Sequence, residues 1–320
     1  MVYHQVMSKT IMITGVNGFV GHHLVDVLKA DGHTVIGIGQ DAEATAKNAD
    51  KLARYISCDL TDEAQVRERV SYDGVDGLIH LAGLANVGMS FAQPALFLAA
   101  NAAMSTNLLQ AALDEGAKTR FVIISTGAVY DNDQQLPISE SGELTHKTPY
   151  AVSKLSVEMM NDYYRSRGIE IATMRPFNHF GPGQMQGFIV PDLLAKLQAY
   201  QESGSDVGVG NLKTARDYTD VRDVASAYAA VACADQPPKH SVYNVCSGKS
   251  RTGTEIYAAL AAALNITPAP EPKVDQSLIR PNETMNIYGD ASRLTEEFGW
   301  KPQHSFEQTI QDTVKASTKA

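Results

Sequence analysis

Short apolar runs alternate with segments of helical period through the first half of the chain. Thr10 to Thr14 reads as a buried strand, Gly21 to Ala30 as a helix closed by Asp31-Gly32, and Thr34 to Ile38 as the next strand. Arg54 to Cys58, Gly77 to Leu81 and Arg120 to Ser125 follow as strands, separated by helix-like stretches such as Glu63 to Val70. Strands that are apolar on both faces and spaced by helices predict a parallel sheet covered on both sides. Right-handed crossovers then give an α/β fold, a doubly wound Rossmann sheet.

Phe97 to Glu115 is long, rich in Ala and Leu and poor in charge, which predicts a helix buried against the sheet. Its Ala-lined second face offers a surface for a partner subunit, and a homodimer is the expected assembly. After about Arg175 the texture changes, with Pro, Gly and Asn clustered in RPFNHFGPGQ. The expected division is a dinucleotide-binding domain over 1–175, rejoined by 215–245. A smaller, discontinuous C-terminal substrate domain is expected from 176–214 and 246–320.

Composition narrows the function. The chain has 320 residues, 44% hydrophobic and 20% charged, which is ordinary globular composition. A net charge of -9 disfavours nucleic acid and anionic membranes as partners, since both need a basic surface. No uninterrupted apolar run reaches the ~20 residues that span a bilayer. The opening residues lack the basic region and cleavage pattern of a signal peptide, so the cytoplasm is the expected compartment. Cys58, Cys233 and Cys246 have no metal-ligand or CxxC spacing and read as core thiols. No metal site is expected, and His179 lies in a Gly/Pro-rich loop that gives no sign of one.

Thr14-Gly15-Val16-Asn17-Gly18-Phe19-Val20-Gly21 follows the first strand and opens the first helix. In this Gly-x-x-Gly-x-x-Gly spacing Gly15 permits a tight turn, Gly18 admits a pyrophosphate and Gly21 lets helix and sheet approach. The helix N-terminus sets N–H groups and partial positive charge against the anion. Asp59-Leu60 is placed toward the adenine, and Leu81-Ala82-Gly83 toward the nicotinamide. The end of the second strand discriminates NAD from NADP, because an acid there binds the ribose hydroxyls and repels a 2′-phosphate. The chain offers Gly39-Gln40-Asp41. Glycine at the usual acid position leaves room for a phosphate and tips the expectation to NADP, although no Arg follows.

Tyr150 and Lys154 stand four residues apart at the start of a predicted helix, on one face. A free phenol has a pKa of about 10, and a neighbouring ammonium favours its ionised form. Thr126 ends the preceding strand, where open parallel sheets bind ligands, and is placed to hold a substrate oxygen.

STGAVY (Ser125 to Tyr130) and PYAVSK (Pro149 to Lys154) together resemble the extended short-chain dehydrogenase/reductases. That resemblance runs from about Lys9 to about Gln308. It implies a catalytic triad of Thr126, Tyr150 and Lys154, the last two also touching the cofactor. The segments FNHFGPGQMQGF, VGNLKTARDYTDVRD, VYNVCSGK, IRPNE and GWKP look like the GDP-4-keto-6-deoxy-D-mannose reductases, which form GDP-rhamnose. More loosely they resemble GDP-mannose 4,6-dehydratases. The likeness implies a nucleotide-diphosphate sugar held by Asn178, Arg216 and Arg280, with Glu283 near the ribose. It further puts Val209 with the substrate and Phe177 with the cofactor.

The dehydratases carry an Asp-Glu pair just after the catalytic Ser/Thr. Here those positions are Gly127-Ala128, which leaves no nearby carboxylate for eliminating water. The expected reaction is NAD(P)H-dependent reduction of a C4 ketone on a GDP-linked 4-keto-6-deoxyhexose. A nucleotide-sugar 4-epimerase with tightly bound NAD is the alternative, since the small pair at 127–128 resembles those enzymes. A non-catalytic dinucleotide-binding protein is the third reading, against which the intact Thr126, Tyr150 and Lys154 weigh.

Overall fold

The computed structural model describes residues 7–279 and 285–318. The first half runs β1 (Thr10–Thr14), α1 (Phe19–Ala30), β2 (Thr34–Gly39), β3 (Arg54–Ser57), α2 (Glu63–Arg69) and β4 (Gly77–His80). It continues with α3 (Val87–Ala92), α4 (Pro94–Glu115), β5 (Arg120–Ile124), α5 (Pro149–Ser166) and β6 (Ile171–Pro176). The second half contributes β7 (Asn178–Phe180), α6 (Ile189–Ser203), β8 (Gly208–Val209), β9 (Ala215–Asp220), α7 (Val221–Ala232) and β10 (Val242–Val245). Last come β11 (Ser250–Thr252), α8 (Gly253–Ala263), β12 (Lys273–Val274), β13 (Asn286–Ile287), α9 (Ser292–Phe298) and α10 (Phe306–Ser317).

The central sheet has seven strands in the order β10-β6-β5-β4-β1-β2-β3, all parallel. This is the doubly wound order, and the chain reverses direction across the sheet between β1 and β4. Ligands bind at such a reversal, outside the carboxyl ends of the strands. Alternation within β1 shows how both faces are filled. Ile11 and Ile13 face a core shared with Leu24 and Leu28 of α1 and Val224 and Tyr228 of α7. Met12 faces the other core, with Leu108 and Leu109 of α4 and Val157 of α5.

The buried residues of α4 include Phe97, Asn101, Ser105, Leu108 and Ala112, at helical spacing. Among the described residues α4 is the one helix long and apolar enough to cross a membrane, which a run-length reading of the sequence passes over. Its stripe buried against α5 and the sheet accounts for that composition. Leu98 of α4 and Val152, Met159 and Tyr163 of α5 remain exposed.

A second, smaller layer covers the carboxyl ends. Here β9 pairs with β7, β11 and β13, while β8 pairs with β12. Leu193, Leu197, Ile256, Leu260 and Ile310 from α6, α8 and α10 form its own core. The chain returns to the main sheet at Val221, where α7 packs against α1. A buried carboxylate fastens the two layers. Asp217 of β9 accepts hydrogen bonds from the N–H groups of Ser247 and Gly248 at 2.8 and 2.9 Å, and from the Ser247 hydroxyl at 2.6 Å.

Candidate active site

The turn from β1 to α1 is shaped by what its glycines leave out. Gly15 has φ +67, and a Cβ there would lie 2.9 Å from the Ala82 nitrogen after β4. A Cβ on Gly21 would lie 2.5 Å from the Val16 carbonyl oxygen. Gly18 caps α1 with no side-chain hydrogen bond, and no acid occupies the first turn. The first-turn N–H groups, Phe19 to Gly21, are thus free of a side-chain cap and suited to a pyrophosphate. Phe19 stacks on His179 with ring centroids 6.2 Å apart, which brings the β7 segment over the turn.

Asn17 turns from the turn toward β2. Its Nδ2 donates to an Asp41 carboxylate oxygen at 2.7 Å, and its Oδ1 accepts from the Thr45 N–H at 3.0 Å. The room that Gly39 was expected to leave is taken. A Cβ there would lie 2.4 Å from the Tyr55 hydroxyl oxygen. Gln40 is exposed beside it. Farther along the cleft, Asp59 accepts from the Thr61 hydroxyl at 2.7 Å, and the Leu60 carbonyl accepts from Asn107 at 2.9 Å. The Leu60 side chain is buried.

Loop 81–84 is pinned from below. Thr14 Oγ1 accepts from the Ala82 N–H at 3.1 Å and meets His80 Nδ1 at 2.7 Å. Burial pushes the His80 imidazole down to about 3, so it stays neutral. Asn101 of α4 accepts from the Leu84 N–H at 2.8 Å and donates to the Ser153 hydroxyl at 3.0 Å, tying this loop to α5. Leu81 is half-buried against the core, and a Cβ on Gly83 would lie 3.2 Å from Lys154 Nζ.

The sequence places Thr148 as the N-cap and Pro149 as the first residue of α5, which starts the helix one residue before Tyr150. Tyr150 is buried, with the Thr126 hydroxyl beside its phenol. Burial pushes the phenol up, and the Thr126 hydroxyl only partly opposes it. The sequence suggests that Lys154 favours phenolate. Its ammonium donates to the Ile124 carbonyl at 2.9 Å, and burial sets the direction of the phenol's shift. Tyr150 therefore holds its proton. Lys154 is itself pushed down to about 8 by burial, with the Glu158 charge opposing.

Glu158, Asn101 and Tyr218 are site residues that sequence reasoning passes over. Glu158 lies one turn beyond Lys154 and is buried. It accepts from Arg175 Nε at 2.9 Å and Nη2 at 2.5 Å, and from the Ser125 hydroxyl. Arg175 in turn donates to the Tyr130 hydroxyl at 2.9 Å, which donates to Asn244 at 2.7 Å. The signals available were an amide within the apolar first half of α4 and an acid at helical spacing from the lysine.

On the substrate side β7 and β9 bring Asn178 opposite Tyr218, with Arg216 two residues away on β9. Burial pushes the Tyr218 phenol up, against a hydrogen bond from Asn178. Arg216 Nη1 donates to the Ala215 carbonyl at 2.8 Å. Val209 is buried, and its carbonyl accepts from the Asp275 N–H at 2.8 Å. Arg280 and Glu283 lie outside the described residues. Phe177 is buried behind the Thr126 turn, where a Cβ on Gly127 would lie 3.1 Å from its ring. A side chain at 127 would press on that ring. Ala128 is exposed at the mouth.

A family model described as GDP-mannose 4,6 dehydratase matches residues 12–313. The chain belongs to that family. Within it the GDP-6-deoxy-D-mannose reductase of Pseudomonas aeruginosa is 32% identical over 309 residues, spanning 95% of each chain. UDP-glucose 4-epimerase of Corynebacterium glutamicum is 25% identical, covering 97% of this chain and 96% of the relative. Solved structures agree. RMD from Pseudomonas aeruginosa complexed with NADPH has a TM-score of 0.82 at 30% identity, over 98% of this chain and 100% of that one. UDP-glucose 4-epimerase from Thermotoga maritima with UDP-glucose has a TM-score of 0.85 at 25% identity, over 97% and 99%. The chain is thus a nucleotide-sugar-modifying enzyme of the extended short-chain dehydrogenase/reductase type.

The buried lysine gives a two-part prediction. Its folded pKa lies below the ordinary value of about 10.4, so the charge costs stability at neutral pH and that cost disappears as pH rises through the interval. Lys154→Met should lose at least about 100-fold in turnover, yet unfold in urea at pH 7 no more easily than the parent. In the parent, kcat/KM should hold below pH 8 and fall above it, as the ammonium titrates.

Proposed function

We propose that the enzyme reduces the C4 ketone of a GDP-linked 4-keto-6-deoxyhexose, with a reduced nicotinamide dinucleotide as donor. The observation that carries this is the buried Thr126–Tyr150 hydroxyl pair whose phenol keeps its proton. Similarity to the GDP-6-deoxy-D-mannose reductase supplies the substrate class. Related structures hold NADPH or NAD, and the uncapped α1 terminus with the Gly15 cradle fits such a cofactor.

The bound cofactor supplies hydride to the carbonyl carbon. Everything else falls to the chain. Two hydroxyls side by side offer paired donors to one carbonyl oxygen, and Thr126 steadies the negative charge that develops there. Tyr150, protonated at neutral pH, transfers its proton to that oxygen. Lys154, anchored to the Ile124 carbonyl, has further N–H groups that would hold the cofactor ribose. Asn178 and Arg216 take the diphosphate, an amide and a guanidinium suiting a dianion. Dehydration lacks its acid, since Gly127 and Ala128 stand where the dehydratases carry carboxylates.

A 4-epimerase is the second reading, favoured by the likeness to UDP-glucose 4-epimerases and by the same small pair at 127–128. It would retain NAD through a cycle of oxidation and re-reduction. We also propose that two copies pair in the cytoplasm through the exposed apolar residues of α4 and α5, Leu98, Val152, Met159 and Tyr163.

Added GDP-4-keto-6-deoxymannose should cause stoichiometric oxidation of reduced cofactor, slowed by about 100-fold or more in Tyr150→Phe. Absence of oxidation, with NAD absorbance co-purifying, would favour the epimerase. For the dimer, light scattering should give twice the chain mass for the parent and a monomer for Met159→Glu.

A further inference from the structure

The end of β2 and the turn after β1 form one hydrogen-bonded unit. In dinucleotide-binding sheets an acid at the end of the second strand reads the adenosine ribose. Here that position is Gly39, and the neighbouring strand fills it. Tyr55 of β3 brings its hydroxyl to 2.4 Å from where a Gly39 Cβ would sit, and donates to the Asp41 carbonyl at 2.9 Å. The acid is carried two residues farther along the chain. Asn17, inside the glycine turn, donates to the Asp41 carboxylate at 2.7 Å. Its Nδ2 is also 3.2 Å from the Glu43 carbonyl and 3.4 Å from the Tyr55 hydroxyl. The Thr45 N–H closes the unit on Asn17 Oδ1 at 3.0 Å.

The clamp fixes a carboxylate beside the turn that takes the dinucleotide. One of its oxygens is bonded to Asn17, which leaves lone pairs for hydroxyl donors. Of the two lysines that follow in this loop, Lys51 is held in an ion pair with Asp26 at 2.6 Å. Lys47 lies near His22 and His23 on the α1 side.

We propose that Asp41, held by Asn17 and Tyr55, is the cofactor-selecting residue, and that it favours NADH over NADPH. Its carboxylate accepts from the ribose hydroxyls and repels a 2′-phosphate. This reverses the preference drawn from Gly39 alone, because the space that glycine leaves is occupied by the tyrosine. It rests on reading the cleft as a dinucleotide site and is independent of the sugar.

The test is direct binding to the full chain without sugar, by fluorescence titration of NADH and NADPH separately. NADH should bind about tenfold more tightly, the scale of repulsion between an exposed carboxylate and a nearby phosphate dianion. Asp41→Asn should cut the ratio to about one, mainly by tightening NADPH. Raising salt should narrow the parent's ratio, since the repulsion is solvent-exposed. Asp41 is exposed, so the variant has no core to disturb. Equal or tighter NADPH binding by the parent, or a ratio unmoved in Asp41→Asn, would overturn the proposal. Binding of neither cofactor would overturn the dinucleotide reading itself, and this one with it.

Discussion

A lysine ammonium buried at the carboxyl end of β5 is the constraint around which the site is arranged. Lys154 is held by the Ile124 carbonyl, and burial opposes its charge. An isolated buried charge is expensive, so a counter-charge must be near. Glu158 supplies it from the next turn of α5. Glu158 in turn is matched by Arg175 from the end of β6, and Arg175 reaches Asn244 of β10 through the Tyr130 hydroxyl. This chain of charges and hydroxyls locks α5 against three strands, and so fixes Tyr150 beside Thr126. Placement of that kind matters because a misplaced catalytic group costs orders of magnitude in rate.

The arrangement explains which chemistry the fold retains and which it gives up. A phenol kept protonated by burial is an acid, as reduction of a ketone requires. Removing water from a sugar requires a further carboxylate, and positions 127 and 128, where the dehydratases carry a pair of them, are Gly and Ala here. Membership in a family described by its dehydratases is consistent with this. One turn after β5 separates the reactions that share the fold.

Much of this was legible in the sequence. The strand and helix pattern of the first half, the glycine turn and the Tyr150-Lys154 spacing are local features, and local features survive into the fold. The long Phe97 to Glu115 segment is part of α4, buried along one stripe. What could not be read depends on residues that meet only through folding. Tyr55 fills the room at Gly39 from a neighbouring strand, so the space inferred from glycine alone was not there. Lys154 bonds a backbone carbonyl, and burial sets the direction of the Tyr150 phenol's shift. Asn101 looked like an amide within the apolar first half of α4, yet it fastens loop 81–84 to α5. Tyr218 gained its meaning only when β7 and β9 paired.

On the proposed function, the Thr126–Tyr150 pair serves one-way reduction, with hydride ending in the product. This is tested most directly by a turnover with cofactor deuterated on the transferred position, followed by mass spectrometry of the sugar nucleotide. One deuterium at C4 in each product molecule and one cofactor oxidised for each sugar formed are the expected result. Sugar inverted at C4 with no deuterium and no net cofactor consumption would contradict it.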